Sequence, residues 1–206
     1  MGGSSVFQRL NTGGAFLSKQ EVRNCLMLMI DKPLYSNILK LSEDINFKAT
    51  VDLSDRLVQE RYDMELIIKF LALNHVPYKQ QDVSEYLDDT IKFLSAKKTT
   101  EKKDEIAKFT KIFHLLNKSL GPDTFSRFDG GKFKGKFLES MFESVTAGMY
   151  FNINDYNDNE ADIKIITEKI KLMWQNEDFK NNSGSGSNAA SRIPSLLDFG
   201  KKYFKK

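Results

Sequence analysis

Most of this chain repeats its apolar residues with a period near 3.6 and shows little of the alternation that strands produce. Ser18 followed by Glu21 has the spacing of a capping box. Val22, Leu26, Met29 and Ile30 then predict a buried stripe on a helix from about Lys19 to Ile30. Pro33 suits the first turn of a second helix, with Leu34, Ile38 and Leu41 on one side. Asp52 or Ser54 is expected to cap a long segment through Leu73, which His75-Val76-Pro77 stops.

Val83, Leu87, Ile91 and Leu94 predict a further helix, and the polar run Lys97 to Asp104 reads partly as a connector. Ile106, Phe109, Ile112, Phe113, Leu116 and Leu120 form the clearest amphipathic stripe, ended by Gly121-Pro122. Two more helices are expected over Phe137 to Tyr150 and Ala161 to Trp174, with a polar loop between them. The fold class predicted is all-α, an irregular multi-helix bundle of about seven or eight helices. Its organisation reads as a helical domain over residues 5–180, a flexible Ser/Gly/Asn loop over 181–192, and a C-terminal helix over 193–206, packed back or free.

Composition changes this picture little. Of the 206 residues, 40 % are hydrophobic, enough for a core, and 31 Lys+Arg against 28 Asp+Glu leave a net charge of +3 that argues only weakly for nucleic acid. Cys25 is the single cysteine, which excludes an internal disulfide and fits a reducing compartment. The longest apolar run, Cys25 to Ile30, is too short to span a bilayer, so the chain reads as cytoplasmic with no membrane partner. Met1-Gly2-Gly3-Ser4 reads as a vector-derived start, and hence as a sign of truncation.

Candidate chemistry concentrates near the beginning. Asn11-Thr12-Gly13-Gly14 is a loop whose glycines permit positive φ and close backbone approach, and Ser18 then starts a helix. Exposed amides at that helix start, beside Arg9, could hold an anion such as phosphate; an ordinary loop and N-cap is the alternative. There is no G-K-[ST] and no G-x-G-x-x-G.

Phe7-Gln8-Arg9-Leu10-Asn11, followed by Thr12-Gly13-Gly14, Leu17 and Gln20-Glu21-Val22-Arg23-Asn24, resembles the GmrSD-type restriction family. The F-x-x-x-N signature is met by Phe7 and Asn11, and the helix after it by L-x-x-Q-E-x-R-N. The resemblance continues through Arg61-Tyr62-Asp63-Met64-Glu65-Leu66, the Phe128 to Phe142 region and the Ser-Gly-Ser-Gly loop before Arg192. It implies a ParB/sulfiredoxin-like domain that binds and hydrolyses an NTP with Mg²⁺ to regulate restriction of foreign, phage DNA. Arg9, Asn11, Gly13, Gly14, Gln20, Arg23 and Asn24 would then surround the nucleotide. Family members carry a D-G-Q-Q-R motif upstream; none occurs here, and the nearest sequence, Asp129-Gly130-Gly131-Lys132, lacks the glutamines. No HNH-type nuclease segment is present either. The resemblance therefore implies the helical C-terminal portion of such a domain, inactive alone, whose partners are the missing N-terminal ParB/sulfiredoxin-like half, DNA and a nuclease domain or subunit.

Other constellations read more plainly. Cys25 has no neighbouring His or Cys and reads as structural, and His75 and His114 stand apart without convergent metal ligands. The acidic loop Asp155 to Asp162 fails as an EF-hand because Ile163 falls at the glycine position and Lys169 at the bidentate one. Neither catalytic nor metal-binding residues are assigned. Lys97-Lys98 with Lys102-Lys103, Lys132-Phe133-Lys134-Gly135-Lys136-Phe137, and Lys201 to Lys206 form basic clusters. The last two interleave aromatic rings, a composition that suits phosphate attraction with base stacking. Lys132, Lys134 and Lys136 are thus candidate DNA contacts, and a non-catalytic module that docks DNA or a partner is the alternative function.

Overall fold

Ser18 opens the first helix as its spacing predicts: the Glu21 amide donates to Ser18 Oγ, and the Ser18 amide donates to Glu21 Oε2 at 2.7 Å. The computed structural model describes residues 17–183 and 188–206. Among them are eleven α-helices and one two-stranded hairpin, so the fold is essentially all-α, with more and shorter helices than the seven or eight expected.

The helices are α1 (Lys19–Ile30), α2 (Lys32–Ser42), α3 (Ile45–Thr50), α4 (Asp55–Gln59), α5 (Tyr62–His75), α6 (Val83–Ala96), α7 (Thr99–Leu120), α8 (Glu139–Asn152), α9 (Glu160–Leu172), α10 (Glu177–Ser183) and α11 (Ala189–Tyr203). The expected long helix after Ser54 is two helices, because Arg61 takes a left-handed backbone, φ 61°, between α4 and α5. The polar run after Lys97 is mostly helix, and α11 starts before residue 193 with Pro194 inside it.

Helix α5 is central, packed against α1, α2, α4, α6 and α8. Leu66, Ile67, Ile68, Phe70 and Ala72 are fully buried, the all-round apolar character of a core helix. Phe47 of α3, Phe70 of α5, Phe109 and Phe113 of α7, and Phe125 and Phe142 pack in tilted or edge-on pairs with centroids between 4.4 and 6.5 Å apart. Helix α11 lies against α8, where a Cβ on Gly200 would stand 2.2 Å from the Ser144 carbonyl oxygen, so glycine is needed for backbones this close.

The strand signal missed in the sequence is short: β1 (Arg127–Asp129) pairs antiparallel with β2 (Lys132–Lys134), Phe128 opposite Phe133. Gly130 and Gly131 form its turn with φ of 60° and 77°, the geometry that a two-residue hairpin demands.

Helix α1 reverses the expected stripe. Gln20, Arg23, Asn24 and Met27 face inward, whereas Val22 and Leu26 are only half-buried and Met29 and Ile30 are exposed. The polar residues win the interior because it offers Arg23 acceptors on both α5 and α6.

Candidate functional site

Arg9, Asn11, Gly13 and Gly14 lie outside the described residues. The remaining expected nucleotide contacts come together, but around one another. Arg23 Nε donates to Asp88 Oδ1 at 2.7 Å; Nη1 donates to Glu65 Oε2 at 2.8 Å and Gln20 Oε1 at 3.2 Å; Nη2 donates to Ser84 Oγ at 2.6 Å and the Ser84 carbonyl at 3.4 Å. A guanidinium has five N–H donors, and all five are directed at protein acceptors. Gln20 Nε2 donates to Asn24 Oδ1 at 2.8 Å, and Asn24 Nδ2 reaches Met64 Sδ at 3.4 Å. With Arg23 committed and Ser18 Oγ holding the Glu21 amide, this part of the motif does not fit a nucleotide with Mg²⁺; its geometry is that of a lock joining α1 to α5 and α6.

A second polar hub was not foreseen. Lys69 Nζ lies 2.9 Å from both Glu139 Oε2 and Glu143 Oε1, and Arg192 grips Glu143 through Nε at 3.1 Å and Nη2 at 2.9 Å. The Tyr62 hydroxyl donates to Glu139. Two cations face two carboxylates, so the buried charge is balanced. Burial pushes the Lys69 ammonium down, yet Glu143 and Glu139 outweigh it and hold the group above its ordinary value. The available signal was a lone lysine within the apolar run MELIIKFLAL, which demands a carboxylate partner.

His75 is likewise partnered. Its Nε2 lies 2.6 Å from Glu105 Oε2 and its Nδ1 3.3 Å from Lys97 Nζ, while the Tyr150 hydroxyl donates to Glu105 at 3.0 Å. Burial, then the Glu105 charge, pushes the Tyr150 phenol above its ordinary value. The adjoining cavity, lined by Leu34, Ile38, Leu41, Leu71 and Glu105, measures about 30 Å³. That is space for a water or two and not for a substrate. His114 pairs on the surface with Asp158, which Lys118 also contacts.

Lys132, Lys134 and Lys136 are all exposed on or beside the hairpin. Lys134 Nζ pairs with Asp129 at 2.7 Å. Beside the hairpin runs a cleft of about 380 Å³ lined by Arg127, Phe128, Gly130, Gly131, Trp174 and Lys180. No family model, curated protein or solved structure matches this chain. The C-terminal basic cluster is largely engaged internally. Lys201 lies over the Phe151 ring, Lys206 binds Asp162, and Phe204 is fully buried. Among the described residues no group of three His, Cys, Asp or Glu side chains is placed to hold a metal, and no helix is long and apolar enough to cross a membrane.

Proposed function

We propose that this chain is the helical portion of a GmrSD-type restriction protein and serves as a non-catalytic docking module, its basic hairpin engaging DNA. The family assignment draws support from how the stretches that carry the resemblance bond to one another. Arg23 meets Glu65, Asn24 meets Met64, and Tyr62 meets Glu139, which also receives Arg192 at 3.5 Å. The observation that carries the docking role is the contrast between two sets of cations. Arg23 has every donor bound internally, whereas Arg127 and Lys134 share the exposed Asp129, and Lys132 and Lys136 are exposed on or beside the same hairpin. Exposed cations of this kind attract phosphate and release counterions.

The test is fluorescence anisotropy with labelled DNA at low salt, comparing the whole chain with Lys132→Glu/Lys134→Glu/Lys136→Glu. At least about a tenfold loss of affinity is expected. Equal binding by the variant, or none by the parent chain, overturns the docking role. A thermal-shift titration with ATP, GTP, CTP and UTP plus Mg²⁺ is expected to be flat. A saturable shift lost in Arg23→Lys would restore nucleotide binding at the QEVRN helix.

A second reading, assembly with the ParB/sulfiredoxin-like N-terminal half, rests on Leu28, Met29 and Ile30, which are 39 %, 75 % and 55 % exposed at the end of α1. Concentration-dependent self-association of the chain, suppressed by Met29→Lys, is what that reading predicts.

A further inference from the structure

The aromatic residues interleaved with the hairpin lysines are held by the protein itself. Phe128 and Phe133 face each other across the hairpin with centroids 4.9 Å apart, and Lys171 Nζ lies 5.7 Å from the Phe128 centroid. Trp174 carries the Arg127 guanidinium over its ring at 5.0 Å and meets Phe179 edge to face at 5.0 Å. Phe137 packs against Tyr62, Phe125 and Phe142. A base cannot stack on Phe128 or Trp174 without competing with a bound cation, or on Phe137 without opening the core, and the half-buried Phe133 has Phe128 as its ring partner.

The cations are arranged differently. Lys132 and Lys136 are exposed and have no ion-pair partner among the described residues, and Lys134 shares Asp129 with Arg127. Lys132 and Lys134 project from one face of β2, two residues apart, a separation of about 7 Å. Space around the turn is open, since a Cβ on Gly131 would meet nothing within 4 Å. We infer that the hairpin tracks the phosphates of duplex DNA and takes no energy from base stacking. Duplex is favoured over single strand because it presents one charge per about 1.7 Å of axis, and a single strand without stacking has only its sparser phosphates to offer. The inference rests on the DNA-docking reading and narrows it to one class of nucleic acid.

Three probes of about 16 nucleotides or base pairs separate the outcomes: a duplex, its single strand, and an abasic strand of equal length. Anisotropy is measured with the whole chain across a salt series, with the emission of Trp174, the one tryptophan, recorded in parallel. The duplex should bind tightest, with log affinity falling against log salt at a slope of about −3 and losing about 1 from that slope per lysine replaced by alanine at Lys132, Lys134 or Lys136. The two single strands should bind alike, with no quenching of Trp174. A base-bearing strand that binds at least about tenfold tighter than the abasic one, with Trp174 quenched, overturns the inference and leaves DNA docking standing. Absence of binding by all three probes at low salt overturns the docking reading and this inference together. Duplex binding that survives the triple alanine variant unchanged moves the interface away from the hairpin and overturns both.

Discussion

Arg23 and Glu65 are separated by forty-two positions in sequence and by 2.8 Å in the folded chain. The Arg23 side chain is 3 % exposed and that of Glu65 24 %, so the pair is desolvated mainly on the arginine side. The same guanidinium reaches Ser84 and Asp88, which makes one residue of α1 the junction of three helices.

Arg23→Ala therefore leaves Glu65 and Asp88 without their cation and is expected to destabilise the fold by about 2–4 kcal/mol, at the lower side for breaking a buried pair because Asp88 is partly solvated. Arg23→Lys keeps the charge and loses most of the fork, so it should fall between. Urea denaturation with an unchanged m-value measures both.

Glu143 is fully buried between Lys69 and Arg192. Glu143→Gln keeps the shape and removes the charge that separates two cations, and a loss of about 3–5 kcal/mol is expected. The double variant Glu143→Gln/Lys69→Met should recover a measurable part of it, because the uncompensated charge is gone. Recovery absent from that double-mutant cycle would show that Arg192 alone sets the loss.

Asp31 caps α2 through the Leu34 amide at 3.0 Å and pairs with Lys102 at 2.7 Å. Burial pushes its carboxyl up, but the Lys102 hydrogen bond, the Leu34 amide and the Lys102 charge outweigh it and hold it below its ordinary value. A lowered folded value favours the ionised form, so the stabilisation is complete above the unfolded value of about 3.9 and disappears as pH falls through the folded one. Asp31→Asn retains a capping oxygen and isolates this contribution. The stability difference between parent and variant should be flat from about pH 7 to about pH 5 and shrink below about pH 4.

Gly200→Ala places a methyl group 2.2 Å from the Ser144 carbonyl oxygen, where backbone and not a flexible side chain must move. Overpacking of this kind is expected to cost about 1–3 kcal/mol and to loosen α11 from α8. Limited proteolysis should release the C-terminal segment faster, whereas the exposed control Lys202→Ala should leave the rate unchanged.

Much of the local structure was legible from the chain alone. The Ser18–Glu21 capping box, Pro33 in the first turn of α2, the stripe of α7 and its end at Gly121 all depend on neighbours a few residues away. Hence an all-α fold could be read directly. The break at Arg61 is a matter of one residue's backbone dihedrals, which its neighbours in sequence do not announce, whereas the hairpin did leave a signal, Gly130-Gly131 between the alternating Arg127-Phe128-Asp129 and Lys132-Phe133-Lys134.

The roles of the charged residues were a different matter. A QEVRN helix is compatible with phosphate or with a buried lock, and the acceptors that decide between them, Glu65, Ser84 and Asp88, stand on other helices. The aromatic–lysine hairpin posed the same ambiguity until its Phe128 ring was found against Phe133 and Lys171, with Arg127 over the ring of Trp174. Helical periodicity is a short-range property and was set by the sequence itself. Whether a cation faces solvent or a carboxylate depends on contacts between distant segments, and only the tertiary structure decided that.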